Sequence, residues 1–154
     1  LTGAEEAYAL GIKLLSFRPR SERELFSRLE GRFGREVASI TVRRLKQEGY
    51  VDDLSFAGWW VAQRAAFKPM GRLRLKQELV LHGVDPGTAG EALAGFGLEA
   101  EAAAALEAAR RKLPALAGER QYLRLAHFLA RRGFPRAVID EVVKALRGQG
   151  DDFY

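Results

Sequence analysis

GRLRLKQELVLHGV, Gly71–Val84, is the stretch on which the fold turns. Leu75 and Leu79 stand four apart, which puts both side chains on one face of a helix, and Gly83 closes the stretch with the residue that best tolerates a left-handed backbone. Fifty residues upstream the same positions are Leu25 and Leu29, and fifty downstream they are Leu125 and Leu129. Gly133 with Phe134 repeats Gly83 with Val84, whereas the first copy reaches Phe33 one residue early and lacks the matching glycine. One leucine pair at this interval could be chance, but leucines and breakers in common register define an internal repeat.

Around each leucine pair the local signals are helical. A stripe of Ala7, Leu10, Leu14 and Leu15 predicts a helix from Ala4 to Ser16, stopped by Pro19. Ser21 with Glu24 has the spacing of a capping box and opens the helix of Leu25 and Leu29. A third helix is expected over Arg35–Glu48, burying Val37, Ile40 and Leu45 and closed by Gly49. The pattern then restarts. Asp53 or Ser55 caps a helix carrying Phe56, Trp59, Trp60, Val61 and Ala65, ended by Pro69; Arg72–His82 follows, and Asp85 with Pro86 begins a short helix to Leu93. The third round is Leu98–Leu113, broken by Pro114, then Glu119–Arg132, then a last helix with Val138, Val142 and Leu146 inward that frays from Gly148 to Asp152.

The expected fold is therefore all-α: three tandem three-helix repeats, at residues 1–53, 54–97 and 98–154, stacked in an elongated, curved array because each unit alone has too small a core. With 47% hydrophobic and 29% charged residues in 154, the chain has the composition of a folded protein. No apolar stretch is long enough to cross a bilayer and none resembles a signal peptide, so no membrane association is expected. The absence of cysteine excludes disulfides and thiolate chemistry and is compatible with a reducing cytosol.

Catalytic chemistry finds little footing. His82 and His127 each lie on a helix without a second histidine or paired carboxylate at ligand spacing, and no Gly-rich loop ends in Gly-Lys-Ser or Gly-Lys-Thr. Asp52 and Asp53 read better as a helix cap than as a metal site. No catalytic, metal or cofactor site is expected. Among the aromatic residues, Phe56, Trp60 and Phe67 fall near one helix face and are assigned to packing, with Trp59 at an edge. The net charge of +5 is spread along the chain, so any basic face must be assembled by folding. Arg64, Lys68, Arg72, Arg74 and Lys76 make the densest local group, and Arg110, Arg111 and Lys112, then Arg131 and Arg132, add clusters near helix ends. Such groups suit phosphates or a carboxylate-rich partner, beside the plainer reading of cations that offset helix dipoles.

The segment GYVDDLSFAGWWVAQR, Gly49 to Arg64, resembles the RecX family of regulatory proteins, with its Asp-Asp turn followed by a Phe-Ala, Trp-Val and Arg helix. LLSFRPRSERELFSRL, Leu14 to Leu29, is similar to that family's Arg-then-Ser-Glu-Leu start, and Gly71–Val84 to its continuation. KPMG at Lys68–Gly71 departs from the pattern by placing proline in a turn expected to be more basic. The resemblance implies a cytoplasmic, monomeric, non-enzymatic protein that binds RecA and the RecA–DNA filament, with single- and double-stranded DNA as further ligands. It implies modulation of strand exchange, usually inhibition and in some members stimulation, by insertion into the filament groove or by capping of the growing end. The candidate contact residues are Arg18, Arg20, Arg64, Lys68, Arg72, Arg74, Lys76, Arg110, Arg111, Arg131 and Arg132. The alternative is a direct DNA-binding helix-turn-helix regulator in which Arg43, Arg44, Lys46 and Gln47 face the duplex.

The register makes Leu79 a core residue, so Leu79→Ala is expected to cost about 2–5 kcal/mol in denaturant unfolding. A cost near zero would break the repeat assignment.

Overall fold

The computed structural model describes residues 2–151. In chain order the helices are α1 (Gly3–Phe17), α2 (Glu22–Phe33), α3 (Arg35–Gln47), α4 (Asp53–Phe67), α5 (Arg72–Leu81), α6 (Pro86–Ala92), α7 (Leu98–Lys112), α8 (Gln121–Arg131) and α9 (Arg136–Asp151), with a single 3-10 turn at Leu113–Ala115. Among the described residues there is no strand, and no helix is long and apolar enough to cross a membrane. The three groups of three helices follow the repeat read from the leucines.

The chain folds into two compact units. One contains the residues up to Trp60 together with Glu78–Ala92; the other contains Val61–Gln77 and the residues from Leu93 on. In the first, Ala7, Leu14, Leu25, Leu29, Ala38, Val42, Leu45 and Val51 form one buried cluster across α1, α2 and α3. Gly11 lets α1 approach α3 closely, since a Cβ there would lie 2.7 Å from Leu45 Cδ1. In the second, Ala105, Ala108, Ala109, Leu125, Leu129, Phe134, Val138, Ile139, Val142 and Leu146 close α7, α8 and α9 around one core. Met70, Leu75 and Leu93 form a smaller cluster with Val61 and Phe96. Six of six register leucines, Leu25, Leu29, Leu75, Leu79, Leu125 and Leu129, are buried.

Several details differ from the reading of the sequence. Ile40 is 55% exposed, and α3 turns Ala38, Thr41, Val42 and Leu45 inward instead. Phe67, the last residue of α4, is exposed as well; the buried residues of that helix, Phe56 and Ala57, lie near its start. The α4 cap is neither Asp53 nor Ser55 but Asp52, whose Oδ1 accepts from the amides of Leu54 at 2.9 Å and Ser55 at 3.1 Å. The first copy does have its breaker, displaced by one position: Gly34, at φ 85°, ends α2. Helix α9 continues through Gly148 to Asp151 where fraying was expected, and Asp152 lies outside the described residues.

Both units contain a joint between successive repeats, made in the same way. In the first, Ser21 Oγ caps α2 by accepting from the Glu24 amide at 3.1 Å, while the Glu24 carboxylate accepts from the Ser21 amide, which completes the expected capping box. The Ser21 hydroxyl donates to the His82 carbonyl in the turn that ends α5. The Glu22 amide, otherwise an orphan of the first helical turn, donates to Asp53 Oδ1 at 2.8 Å. In the second unit the Gly71 amide donates to the Arg132 carbonyl at 2.7 Å, in the turn that ends α8, and the Arg72 amide donates to the buried Glu101 carboxylate of α7. Burial pushes the carboxyls of Asp53 and Glu101 up, and the helix amide each accepts from pulls in the opposite direction. Helices α2 and α5, which follow Pro19 and Pro69, thus each start against the next group of three helices, on a carboxylate and a carbonyl.

The approach is closest at Gly71, where a Cβ would lie 2.1 Å from the Gly133 carbonyl oxygen. Gly71→Ala is therefore expected to lower unfolding free energy by about 1–3 kcal/mol through overpacking. Gly58→Ala, in the middle of α4 with nothing within 4 Å of the new methyl, is expected to raise it by about 0.5–1 kcal/mol. Equal effects in denaturant melts would contradict the tight joint.

Candidate interface for an anionic partner

Each joint leaves a groove lined by cations. In the first unit it has a volume of about 390 Å³ and is bordered by Arg18, Arg20, Arg23 and Arg28, with Glu24, Ser27, Leu81 and His82. Pro19 ends α1 and turns the chain so that Arg18 and Arg20 flank the start of α2, whose own first turns carry Arg23 and Arg28. Arg18 pairs with Glu24 at 2.6 Å, Arg20 donates to the Leu14 carbonyl at 3.2 Å, and Arg23 donates to the Leu81 carbonyl. Burial, then the charges of Arg18 and Arg28, lower the Arg20 pKa. Burial alone would push the Glu24 carboxyl up, but the hydrogen bonds from Arg18 and the Ser21 amide and the charges of Arg18 and His82 outweigh it, holding it below the usual range.

In the second unit the groove has a volume of about 200 Å³ and is bordered by Phe67, Lys68, Pro69, Ala108, Arg111, Lys112, Phe128 and Arg132. The last turn of α7 supplies Arg111 and Lys112, and the end of α8 supplies Arg132. Arg132 donates to the Pro69 carbonyl at 3.1 Å and lies 4.6 Å from the Phe128 ring centre, which Lys112 approaches at 5.3 Å. Arg111 donates to the Ala66 and Phe67 carbonyls at the end of α4 and pairs with Glu107 at 3.0 Å. Burial, then the charges of Arg64 and Arg111, lower the Arg132 pKa. Here the cations are again packed closely, with Glu107 as an acidic neighbour.

The structure thus gathers Arg18 and Arg20 in one unit, and Arg64, Lys68, Arg111 and Arg132 in the other. Arg72 is used differently: its guanidinium donates to the Leu93 and Phe96 carbonyls, the latter at 2.9 Å, and ties the start of α5 to the end of the second repeat. Arg74, Lys76, Arg110 and Arg131 are exposed but do not border either groove. Sequence reasoning passed over Arg23 and Arg28, which join the first group only because α2 is docked on the turn after α5. On α3, Arg44 pairs with Glu48 at 3.0 Å and stacks on Tyr8, and Lys46 pairs with Glu22 at 3.3 Å. Among the described residues no three of His, Asp and Glu gather as a metal site would require.

Comparison with known proteins agrees with the repeat. Family models described as the first, second and third three-helix domains of RecX match residues 7–45, 52–93 and 99–143. The chain is 36% identical over 148 residues to the regulatory protein RecX of Chlorobium phaeobacteroides, covering 94% of this chain and 96% of that one. It is 39% identical over 151 residues to the regulatory protein RecX of Mycobacterium ulcerans, covering 92% and 84%. In fold it is similar to the crystal structure of RecX from Lactobacillus salivarius, with a TM-score of 0.79 at 17% identity over 94% of this chain and 97% of that one.

Because the Glu24 carboxyl is held low, its contribution to stability is present above the usual carboxylate pKa and lost as pH falls through its folded value. Glu24→Gln is expected to flatten the acid side of the stability profile, measured by urea unfolding between about pH 3 and 6, relative to the native chain. An unchanged acid limb would contradict the Arg18–Glu24 pairing.

Proposed function

The chain belongs to the RecX family, and from that premise we propose that it is a non-enzymatic, cytoplasmic regulator that binds RecA and RecA–DNA filaments and inhibits the recombinase. Its role would lie in DNA repair, recombination and the SOS response, acting as a monomer built of repeats at 1–53, 54–97 and 98–154. Inhibition would follow from insertion into the filament groove or from capping of the growing end, without bond chemistry. The observation that carries this reading is family membership through all three three-helix domains, with relatives named regulatory proteins.

The two joint grooves give the reading a physical surface. A nucleoprotein filament presents phosphates and acidic side chains, and both are bound by guanidinium and ammonium groups held close together. Arg18, Arg20, Lys68, Arg111 and Arg132 are the contact residues favoured by this arrangement, with Arg64 in support; Arg74, Lys76, Arg110 and Arg131 would add long-range attraction, and Arg72 would hold the scaffold. The helix-turn-helix alternative would instead use Arg43, Arg44, Lys46 and Gln47 of α3, where Arg44 pairs with Glu48 and Lys46 with Glu22.

Titration of the protein into RecA hydrolysing ATP on single-stranded DNA is expected to lower the rate at substoichiometric ratios. Lys68→Glu combined with Arg20→Glu is expected to shift the inhibitory concentration upward by at least about tenfold, the combined loss of two charge-assisted contacts. No change in the ATPase at excess protein would refute the proposal.

A further inference from the structure

The last residue of α1 and the last residue of α4 are both phenylalanine, Phe17 and Phe67, fifty residues apart, and each is followed by a cation and a proline. They are 71% and 76% exposed. Single exposed apolar residues are ordinary on a protein surface. Two of the largest apolar side chains left in water at equivalent places of two repeats are not, since burial would have stabilised each. The surroundings repeat as well. Arg18, directly after Phe17, borders the first basic groove with Arg20, Arg23 and Arg28; Phe67 itself borders the second with Lys68, Arg111, Lys112 and Arg132. The carboxylates in reach, Glu24 and Glu107, are already paired with Arg18 and Arg111.

We infer that each Phe-cation-Pro corner is a binding site for single-stranded nucleic acid, with backbone phosphates on the groove cations and a base stacked on Phe17 or Phe67. A flat apolar ring beside a row of cations is complementary to a nucleotide, which offers a π-face and an anion a few ångströms apart. An acidic peptide satisfies the cations but leaves the phenyl ring in water. A duplex keeps its base faces stacked on one another and presents only phosphates and groove edges. The third repeat has Ala117 at the corresponding position, so the chain carries two such sites and not three. The inference does not depend on RecA being a partner, and the following test contains no recombinase, so its failure is separate from failure of the proposed function.

The experiment is fluorescence anisotropy at one fixed salt concentration with two labelled probes, an oligothymidylate of about 20 nucleotides and an abasic oligomer of the same length. The native protein is expected to bind the thymidylate at least about fivefold more tightly than the abasic chain. Phe17→Ala and Phe67→Ala are each expected to weaken thymidylate binding several-fold and to leave abasic binding unchanged, with Phe67→Trp restoring it. Both side chains are exposed, so the substitutions leave the fold intact, which circular dichroism verifies. Equal native affinity for the two probes, or losses of equal size on both, would overturn the stacking site. Polyglutamate competing as well as thymidylate at equal charge would overturn it in favour of an acidic protein.

Discussion

Helices α2 and α5, which follow Pro19 and Pro69, each begin on a carboxylate lent by the first helix of the next group of three, Asp53 of α4 and Glu101 of α7, and the remaining features of both joints follow from that contact. The first amides of a helix have no partner within it, and buried amides without partners are expensive. Asp53 answers the need at Glu22, and Glu101 answers it at Arg72. Both acceptors are displaced upward in pKa by burial, so the cost of holding them there is visible, and the helix ends they serve offset it. A three-helix unit of about fifty residues has little core of its own. Joining it through its helix start recruits polar groups that would otherwise be left unsatisfied into holding the next unit.

This contact also explains why cations accumulate where they do. Docking α2 on the turn after α5 brings Arg23 to the Leu81 carbonyl and places His82 beside Glu24. Docking α5 on the turn after α8 brings Arg132 to the Pro69 carbonyl, with Arg111 capping the last carbonyls of α4. Guanidinium groups are suited to this because they bond several carbonyls and keep their charge. The same residues that secure each joint therefore create a positive groove beside it, and a scaffold requirement produces a surface for anions. The three RecX three-helix domains matched by the family models coincide with the three groups of helices that meet at these joints.

Much of this was legible in the sequence because local signals were strong. The leucine register, the Ser21–Glu24 box, the Asp85–Pro86 start and the positive-φ glycines at Gly49, Gly83 and Gly133 all carry their meaning within one or two turns of chain. What could not be read depends on partners far away in sequence. Asp53 looks like a cap for its own helix, and only the fold gives it to Glu22, thirty-one positions earlier. Ile40 follows an apolar spacing yet lies outside because Ala38, Thr41 and Val42 already fill the face toward α1 and α2. Arg72 belonged to the densest run of cations and proved to be a tie between carbonyls, a role no spacing reveals. The exposed Phe17 and Phe67 could have been found through the fifty-residue register, since both precede a cation and a proline, but helical periodicity in α4 pointed Phe67 inward.

We propose that the surfaces beside the joints are where this RecX family member would meet a nucleoprotein filament. Hydrogen–deuterium exchange of the protein, alone and with a RecA filament on single-stranded DNA, addresses it directly because amide protection reports contact segment by segment. Slowed exchange is expected at residues 17–24, 66–72 and 108–112, with the outer face of α3 unchanged. Protection confined to α3, or absent from all three segments while the complex is formed, would contradict it.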